Sequence, residues 1–298
     1  MIIAALAGLI FWLGSSGLVA WKLTRRTRDP FPEPPPAVDS AEVESHRLKT
    51  SDGHEIGAWL VRGDRRKGCV LLIHGNGASR HQMLPVMQWL ADARFTVLAI
   101  SLRAHGDSTG QINDFGYSAR HDATAAVDFL EKECPDQPIY IVGRSLGAAV
   151  AIFAADDLDG QVPGYFLEQP YKDLDSATWN RLQNHLPPVF DWVAYRGLRL
   201  WAPVFLPIDP DQVSPHDRIS DIPESVPVVL LTGSADRHAR LEEVTDMYRR
   251  IEPHAKLVIF DGAEHVGLYR ADPRLYKTTL FDLLDGSPKT DFTFLPPK

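Results

Sequence analysis

A serine between two glycines is the first feature of this sequence that could do chemistry. Residues 143–147 read Gly-Arg-Ser-Leu-Gly, with an apolar run at 139–142 before them and small apolar residues after them. This order predicts a strand, a tight turn that holds Ser145, and a helix, because glycines without Cβ atoms let strand and helix approach closely. An ordinary turn that contains a serine by chance would show the same local pattern. The choice between the two readings depends on whether the chain supplies partners for Ser145.

The chain also contains, well after Ser145, candidates for the two partners that a serine nucleophile requires. A serine hydroxyl needs a base, and the base needs an acid to orient it. Asp236 follows the apolar run 228–231, and His265 follows the apolar run 257–260. Both side chains are therefore expected at the sheet edge that carries Ser145. The sequence predicts Ser145 as nucleophile, His265 as base and Asp236 as acid.

Other roles for these positions stay open at this point. Asp236 could instead cap a helix that begins near Leu241, and His265 could be a surface histidine. His238 and Asp261 are the nearest rivals. His238 follows the acid by only two residues, which leaves little chain to fold back as its partner.

A glycine-rich turn supplies the predicted oxyanion hole. The apolar run 70–73 leads into His-Gly-Asn-Gly at 74–77. The backbone amide of Asn76 is a suitable first donor for an oxyanion, and the amide of Leu146, at the start of a helix, is a suitable second one. The alternative for residues 74–77 is a simple tight turn.

Apolar runs of strand length alternate with segments of helical period along residues 38–298. The alternation predicts an α/β fold with a mostly parallel sheet and helices on both faces. The predicted strands are a hairpin at 45–50 and 55–61, then 70–73, 96–100, 139–142, 165–167, 228–231 and 257–260. The predicted helices are 81–93, 118–134, 147–157 and 241–251.

The alternation stops at about 170–226, after the sixth strand, in a stretch rich in aromatic residues and proline. We expect a cap inserted between two strands, with a helix over 191–202. Trp192 and Trp201 either contact substrate or only seal the core. Arg144 either favours a polar or anionic substrate or pairs with a nearby acid.

The N-terminal segment predicts a membrane anchor. Residues 2–21 contain no charge, and such a helix spans a hydrocarbon core of about 30 Å. A cleaved signal peptide is the alternative, but its basic region would precede the apolar run. Here four basic residues and no acid follow within 1–28, which favours a cytoplasmic catalytic domain. Five prolines at 29–36 then predict an extended stalk within a linker 29–37, before the main domain 38–298.

Charge and cysteine content exclude several classes of function. The net charge is −8, and because residues 1–28 carry four positive charges, the remainder carries −12. So acidic a body opposes nucleic acid as a partner. The only cysteines, Cys69 and Cys134, form no metal cluster, and the apolar run that starts at Cys69 favours a buried free thiol.

Five motifs occur in the order found in α/β-hydrolases: HGNG at 74–77, SLRAHGDSTG at 101–110, GRSLG at 143–147, LTGSAD at 231–236 and DGAEH at 261–265. Over about 45–285 the chain resembles bacterial membrane-anchored hydrolases of the serine aminopeptidase-like or BEM46-like kind. The resemblance implies the same nucleophile, base, acid and oxyanion amides. It also implies structural roles for Arg103 and Asp107.

Together these features predict a serine hydrolase that cleaves an ester, thioester or amide through an acyl-enzyme. The aromatic cap and the anchor favour apolar or lipid-like acyl substrates. A membrane-tethered peptidase, a cofactor-free perhydrolase with the same triad and a non-catalytic binding module are the alternatives. We expect no metal and no organic cofactor, and as partners only a small acyl substrate and the membrane.

Overall fold

The computed structural model describes residues 2–64 and 66–286, and an eight-stranded sheet forms its centre. The strands are β1 Val43–Lys49, β2 Glu55–Val61, β3 Cys69–Ile73, β4 Thr96–Ile100, β5 Ile139–Arg144, β6 Tyr165–Glu168, β7 Val228–Gly233 and β8 Ala255–Phe260. Their spatial order is β1-β2-β4-β3-β5-β6-β7-β8. The hairpin of β1 and β2 joins β4 in antiparallel pairing, and β3 to β8 pair with their neighbours in parallel. The predicted α/β class and mostly parallel sheet are confirmed.

Helices cover both faces of the sheet. The helices of the described residues are α1 Ile2–Leu23, α2 Leu84–Asp92, α3 Arg120–Glu133, α4 Leu146–Phe153, α5 Leu174–His185, α6 Phe190–Phe205, α7 Pro215–Arg218, α8 Leu241–Arg250, α9 Leu268–Ala271 and α10 Pro273–Leu284. Along β3, Leu71 and Ile73 pack in a core with residues of α3, α4 and α8. Val70 and Leu72 point to the other face and pack with residues of α2 and α10. Successive residues of β3 are thus buried on opposite faces of the sheet, so every residue of the strand is apolar and its apolar run is continuous.

Several helical segments differ from the predicted ones, and α5, inside the stretch expected to form a cap, was not predicted. A 3₁₀ turn, Arg80–Met83, precedes α2, so the segment predicted at 81–93 is two elements. In α6 the helix continues beyond the predicted end to include Pro203, because a proline in the last turn removes only one helical hydrogen bond. The pattern missed α10, although its start carries a clear signal: the Asp272 carboxylate accepts a hydrogen bond from the Leu275 amide, and proline follows it.

The prolines at 29–36 lie in neither a helix nor a strand, and the segment is not a free stalk. Glu33 within it is buried, and its carboxylate lies 2.9 Å from Arg80 Nη1 and 2.9 Å from His81 Nδ1. Burial opposes ionisation of Glu33, yet hydrogen bonds from Ser79 and Ser101 and the charge of Arg80 lower its pKa. The stalk prediction is therefore wrong at these residues, because one buried carboxylate fastens the segment to the domain. The division into segments 1–28, 29–37 and 38–298 stays a prediction, and residues 287–298 lie outside the described residues.

The prediction of a free thiol at Cys69 is also wrong. Cys69, at the start of β3, forms a disulfide with Cys134, which ends α3. The residues are 65 positions apart in the sequence, and only the packing of α3 against the sheet brings them together. Spacing along the chain could not reveal that contact.

Candidate active site

Ser145 lies between β5 and α4, in a backbone conformation that few residues adopt. Its φ is +50° and its ψ is −109°, far from the helix that begins at the next residue. A Cβ on Gly143 would lie 2.5 Å from the carbonyl oxygen of Gly147, and a Cβ on Gly147 would lie 2.3 Å from that of Ile73. Glycine is therefore required at both positions. The turn holds the serine hydroxyl at the carboxyl edge of the sheet.

Ser145, His265 and Asp236 are brought together at this edge. Ser145 Oγ lies 3.0 Å from His265 Nε2, and His265 Nδ1 lies 2.8 Å from Asp236 Oδ2. Since a carboxylate only accepts, we assign the imidazole proton to Nδ1, which leaves Nε2 free to accept from the serine. This is the geometry in which a histidine can remove a proton from a serine.

The Asp236 carboxylate is fully buried and held from three sides. Oδ1 accepts hydrogen bonds from the backbone amides of His238 and Ala239, at 2.8 and 3.0 Å. Oδ2 accepts from Gln169 Nε2 at 2.8 Å as well as from His265. These donors satisfy a charge that would otherwise be costly to bury.

The rival residues have other positions. Asp261 accepts a hydrogen bond from Ser234 Oγ at 3.0 Å, which joins the loop after β8 to the loop after β7. The ring of His238 lies 5.0 Å from that of His265, and burial together with the neighbouring imidazole lowers the pKa of His238. The residue at the N-cap of α8 is Arg240, so Asp236 is not the helix cap that the sequence left open.

The turn at 74–77 lies beside Ser145, as the predicted oxyanion hole requires. A Cβ on Gly75 would be 3.6 Å from Ser145 Cβ. Leu146 is the first residue of α4, so its amide is one of the N-terminal donors without an acceptor inside the helix. The assignment of the Asn76 and Leu146 amides as oxyanion donors stays a prediction.

Two buried histidines hold this turn in place. His74 Nδ1 donates to the carbonyl of Gly75 at 2.7 Å, and His74 Nε2 accepts from the amide of Leu102. His105 Nε2 accepts from the amide of Gly77 at 3.2 Å. Burial and the proximity of His105 lower the pKa of His74 to about 3. A neutral ring can both donate and accept, which is what this arrangement needs.

Three residues predicted to bind substrate have other contacts. The guanidinium of Arg144 lies 2.9 Å from the buried Glu168 carboxylate, so it pairs with an acid, which is one of its two expected roles. Trp201 Nε1 donates to the carbonyl of Leu13 in α1 at 3.0 Å. Trp192 lies on the outer surface of α6, 57% exposed. Helical spacing could not show which face of α6 each tryptophan occupies.

Two further expectations concern the loop 101–110. The Arg103 guanidinium pairs with Asp122 and Asp52, and Asp107 pairs with Arg80. Both side chains therefore tie loops together, in agreement with the expected structural roles.

Gln169 is a site residue that the sequence pattern missed. It follows β6 with φ +49°, and its Nε2 donates both to Asp236 Oδ2 and to the carbonyl of Glu264 at 2.8 Å. It thereby connects the acid loop to the loop that carries His265. The available signal was its position at the carboxyl end of a strand.

Asp236, His238 and His265 also form a group that could hold a metal ion, with one ligand atom from each within 4.8 Å of the others. Both ring nitrogens of His265 are already within hydrogen-bonding distance of protein partners. A metal would therefore compete with the contacts between His265 and the other two residues of the Ser145 site.

Comparisons with known proteins support the α/β-hydrolase fold. The model of the α/β hydrolase fold family matches residues 68–203. Protein bem46 of Schizosaccharomyces pombe is 24% identical over 209 residues, which cover 68% of this chain and 64% of that protein. Human monoglyceride lipase is 28% identical over 174 residues, 56% of this chain and 54% of the lipase. The chain thus spans less than two thirds of these relatives. Among solved structures, the Pyrococcus furiosus esterase Pf2001 superposes with a TM-score of 0.69 at 24% identity, covering 87% of this chain and 98% of the esterase.

Proposed function

Because the chain is an α/β-hydrolase that resembles the bem46 kind, we propose that it is a serine ester hydrolase that works through an acyl-enzyme. The observation that carries the proposal is the line of hydrogen-bonding distances from Ser145 through His265 to Asp236. The lipase among the relatives and the esterases among the structural neighbours support an ester as the bond that is cleaved.

In the proposed mechanism, Ser145 Oγ attacks the ester carbonyl while His265 Nε2 takes its proton. The carbonyl oxygen becomes an oxyanion that accepts hydrogen bonds from the Asn76 and Leu146 amides. His265 then gives the proton to the departing alkoxide, which leaves an acyl group on Ser145. Water, deprotonated by the same nitrogen, releases the acid and restores the serine.

A cleft whose walls are mostly apolar, although Asp175, Thr178 and Arg199 also line it, supports an apolar acyl group. Gly116 contacts the residue after the nucleophile: a Cβ placed on it would lie 3.1 Å from Leu146 Cδ1. The next residue toward the N-terminus, Phe115, lines a cleft between the cap and α1. Its apolar walls also include Leu174, Leu198, Leu206, Ala20 and Leu23.

A fluorophosphonate probe on the full chain in detergent tests the proposal. We expect labelling of the wild type and none of Ser145→Ala or His265→Ala. Ser51→Ala, which changes an exposed serine in the β1–β2 turn, is the matched control and should label normally. A folded wild type that does not label, or a Ser145→Ala variant that labels equally, would refute an activated Ser145 and favour the binding-module alternative.

A series of p-nitrophenyl esters tests the acyl preference separately. We expect kcat/KM to rise from acetate to longer acyl chains. Labelling by the probe together with a preference for acetate would keep the serine hydrolase and reject the apolar acyl group.

The helix α1 is long and apolar enough to cross a membrane, and we propose that it is the anchor. The prediction of a cytoplasmic domain rests on four basic residues. The Cys69–Cys134 disulfide opposes it, because disulfides persist in oxidising compartments. Fusions of reporters that are active on only one side of the membrane to the C-terminus decide between the two.

A further inference from the structure

The anchor helix α1 lies along cap helix α6, and the two helices run in the same direction. Trp12 Nε1 donates to the carbonyl of Val193 at 3.0 Å, and further along both helices Arg25 Nη1 reaches the carbonyl of Phe205 at 3.4 Å. The second half of α1 therefore packs along nearly the whole of α6.

Small residues allow this close approach. A Cβ on Gly197 would lie 2.5 Å from the Cβ of Ser16, and a Cβ on Gly17 would lie 3.0 Å from the Trp201 ring. Close packing through small residues is common between helices in membranes, where apolar burial does not drive association.

The free part of α1 is too short to cross a bilayer alone. Residues 2–11 are exposed, and they extend only about 15 Å at 1.5 Å per residue. A hydrocarbon core is about 30 Å thick, so α1 crosses it only if the half that packs on α6 is also in lipid. Crossing by α1 in this arrangement therefore carries α6 into the leaflet nearest the domain.

The outer surface of α6 has the composition that such a position requires. Among the described residues outside α1, seven large apolar side chains are exposed, and five of them lie on α6 or directly before it. They are Val189, Phe190, Trp192, Leu200 and Val204, between 55% and 70% exposed. An exposed apolar surface of this kind marks an interaction site.

The charged residues of α6 are compatible with lipid on this surface. Asp191 is buried, and Arg199 pairs with Asp175 and Asp211 of the cap. Arg196 lies 5.8 Å from the centre of the Trp192 ring. A long side chain of this type can extend toward the headgroups while its stem stays in lipid.

We propose that the exposed face of α6 is a membrane-inserted surface that lies beside α1 in the leaflet next to the domain. A phospholipid bilayer covers this face, which would place the apolar cleft between α1 and the cap at the lipid boundary. The proposal concerns how the protein sits on the membrane, and it holds whether or not Ser145 is catalytic.

Depth-dependent quenching on the full chain tests it. Since Cys69 and Cys134 are paired, single cysteines at Phe190→Cys and Val204→Cys can each carry an environment-sensitive fluorophore. The labelled proteins are inserted into phosphatidylcholine–phosphatidylglycerol vesicles with nitroxides either near the headgroup or near the chain end. Val266→Cys is the matched control, because Val266 is another exposed valine, 69% against 62% for Val204, but lies outside the cap.

We expect several-fold stronger quenching at the two α6 positions than at position 266. Position 190 should respond best to the chain-end nitroxide and position 204 to the headgroup nitroxide, because the start of α6 lies beside the middle of α1. Quenching no stronger than at position 266 would overturn the proposal, and a shielded but unquenched fluorophore would assign the face to a protein partner. If positions 190 and 204 were both quenched best by the headgroup nitroxide, α6 would not be inserted alongside α1. Leu200→Cys replaces either variant that does not fold.

Discussion

The buried pair of Arg144 and Glu168 leads to a prediction that distinguishes two roles for Arg144, the residue before Ser145. Arg144 Nε lies 2.9 Å and Nη2 3.2 Å from the Glu168 carboxylate. The exposed fractions of the two side chains are 2% and 0%, and Tyr276 also donates to Glu168. Burial opposes the charge on Arg144, but the charge of Glu168 raises its pKa. The geometry indicates a structural ion pair.

Arg144→Met should destabilise the protein by about 3–5 kcal/mol, because it leaves the Glu168 carboxylate buried without its counter-charge. For a domain of this size each kcal/mol lowers Tm by about 2–4 °C, so the expected drop is roughly 6–20 °C. The double variant Arg144→Met with Glu168→Gln removes both charges and should recover most of that loss.

Thermal and urea unfolding of the full chain in detergent measure these changes, and ester hydrolysis below the lowered Tm measures the site. We expect KM for neutral and anionic esters to change equally in Arg144→Met. A loss of less than about 1 kcal/mol would contradict the reasoning from burial, since that is the range of exposed pairs. A selective rise in KM for anionic esters in a stable variant would assign Arg144 to substrate binding instead.

Three further predictions concern other contacts. Gln169→Leu removes a charge-assisted donor from Asp236 worth about 1.5–3 kcal/mol, so kcat should fall about 10- to 100-fold with KM unchanged, as steady-state kinetics on one ester would show. Folding lowers the pKa of Glu33. The stability that ionised Glu33 contributes is therefore complete above its ordinary pKa of 4.5 and is lost as pH falls through the pKa of the folded protein. Unfolding measured against pH should show wild type and Glu33→Gln differing in stability at neutral pH and converging in acid. Reduction of the Cys69–Cys134 disulfide should cost about 4 kcal/mol for its 65-residue separation, measured by urea unfolding with and without reductant, and an unchanged midpoint would contradict the pairing.

Local sequence signals predicted the elements that carry the site because each chemical residue follows its own strand. Ser145, Asp236 and His265 each follow an apolar run by a few residues, and parallel strands bring their carboxyl ends to one edge of a sheet. Strand length, glycine position and chain order are all local properties. The meeting of the three side chains therefore needed no knowledge of long-range contacts.

The contacts that the sequence could not reveal are those made between elements far apart along the chain. Arg144 could equally face a substrate or an acid until β6 placed Glu168 beside it. Gln169 carries no motif, and its role depends on two loops that end other strands. Hydrophobic period marks which residues of a strand are buried, but not which polar partner lies across the sheet.

The N-terminal helix shows most clearly what the hydropathy pattern of the sequence leaves out and the packing in the structure supplies. Its hydropathy indicates lipid for its whole length, and nothing in that pattern distinguishes residues 2–11 from the half that packs on α6. The packed half differs from residues 2–11 because Gly17 lies against α6 and Gly197 lies against α1, and these contacts form only when the cap has folded. Because α1 also contributes Ala20 and Leu23 to the cleft beside the cap, the helix proposed as the anchor is packed into the folded domain. Deleting α1, as if it were an independent tail, would therefore expose the apolar side of α6 and open the cleft proposed to hold the acyl group.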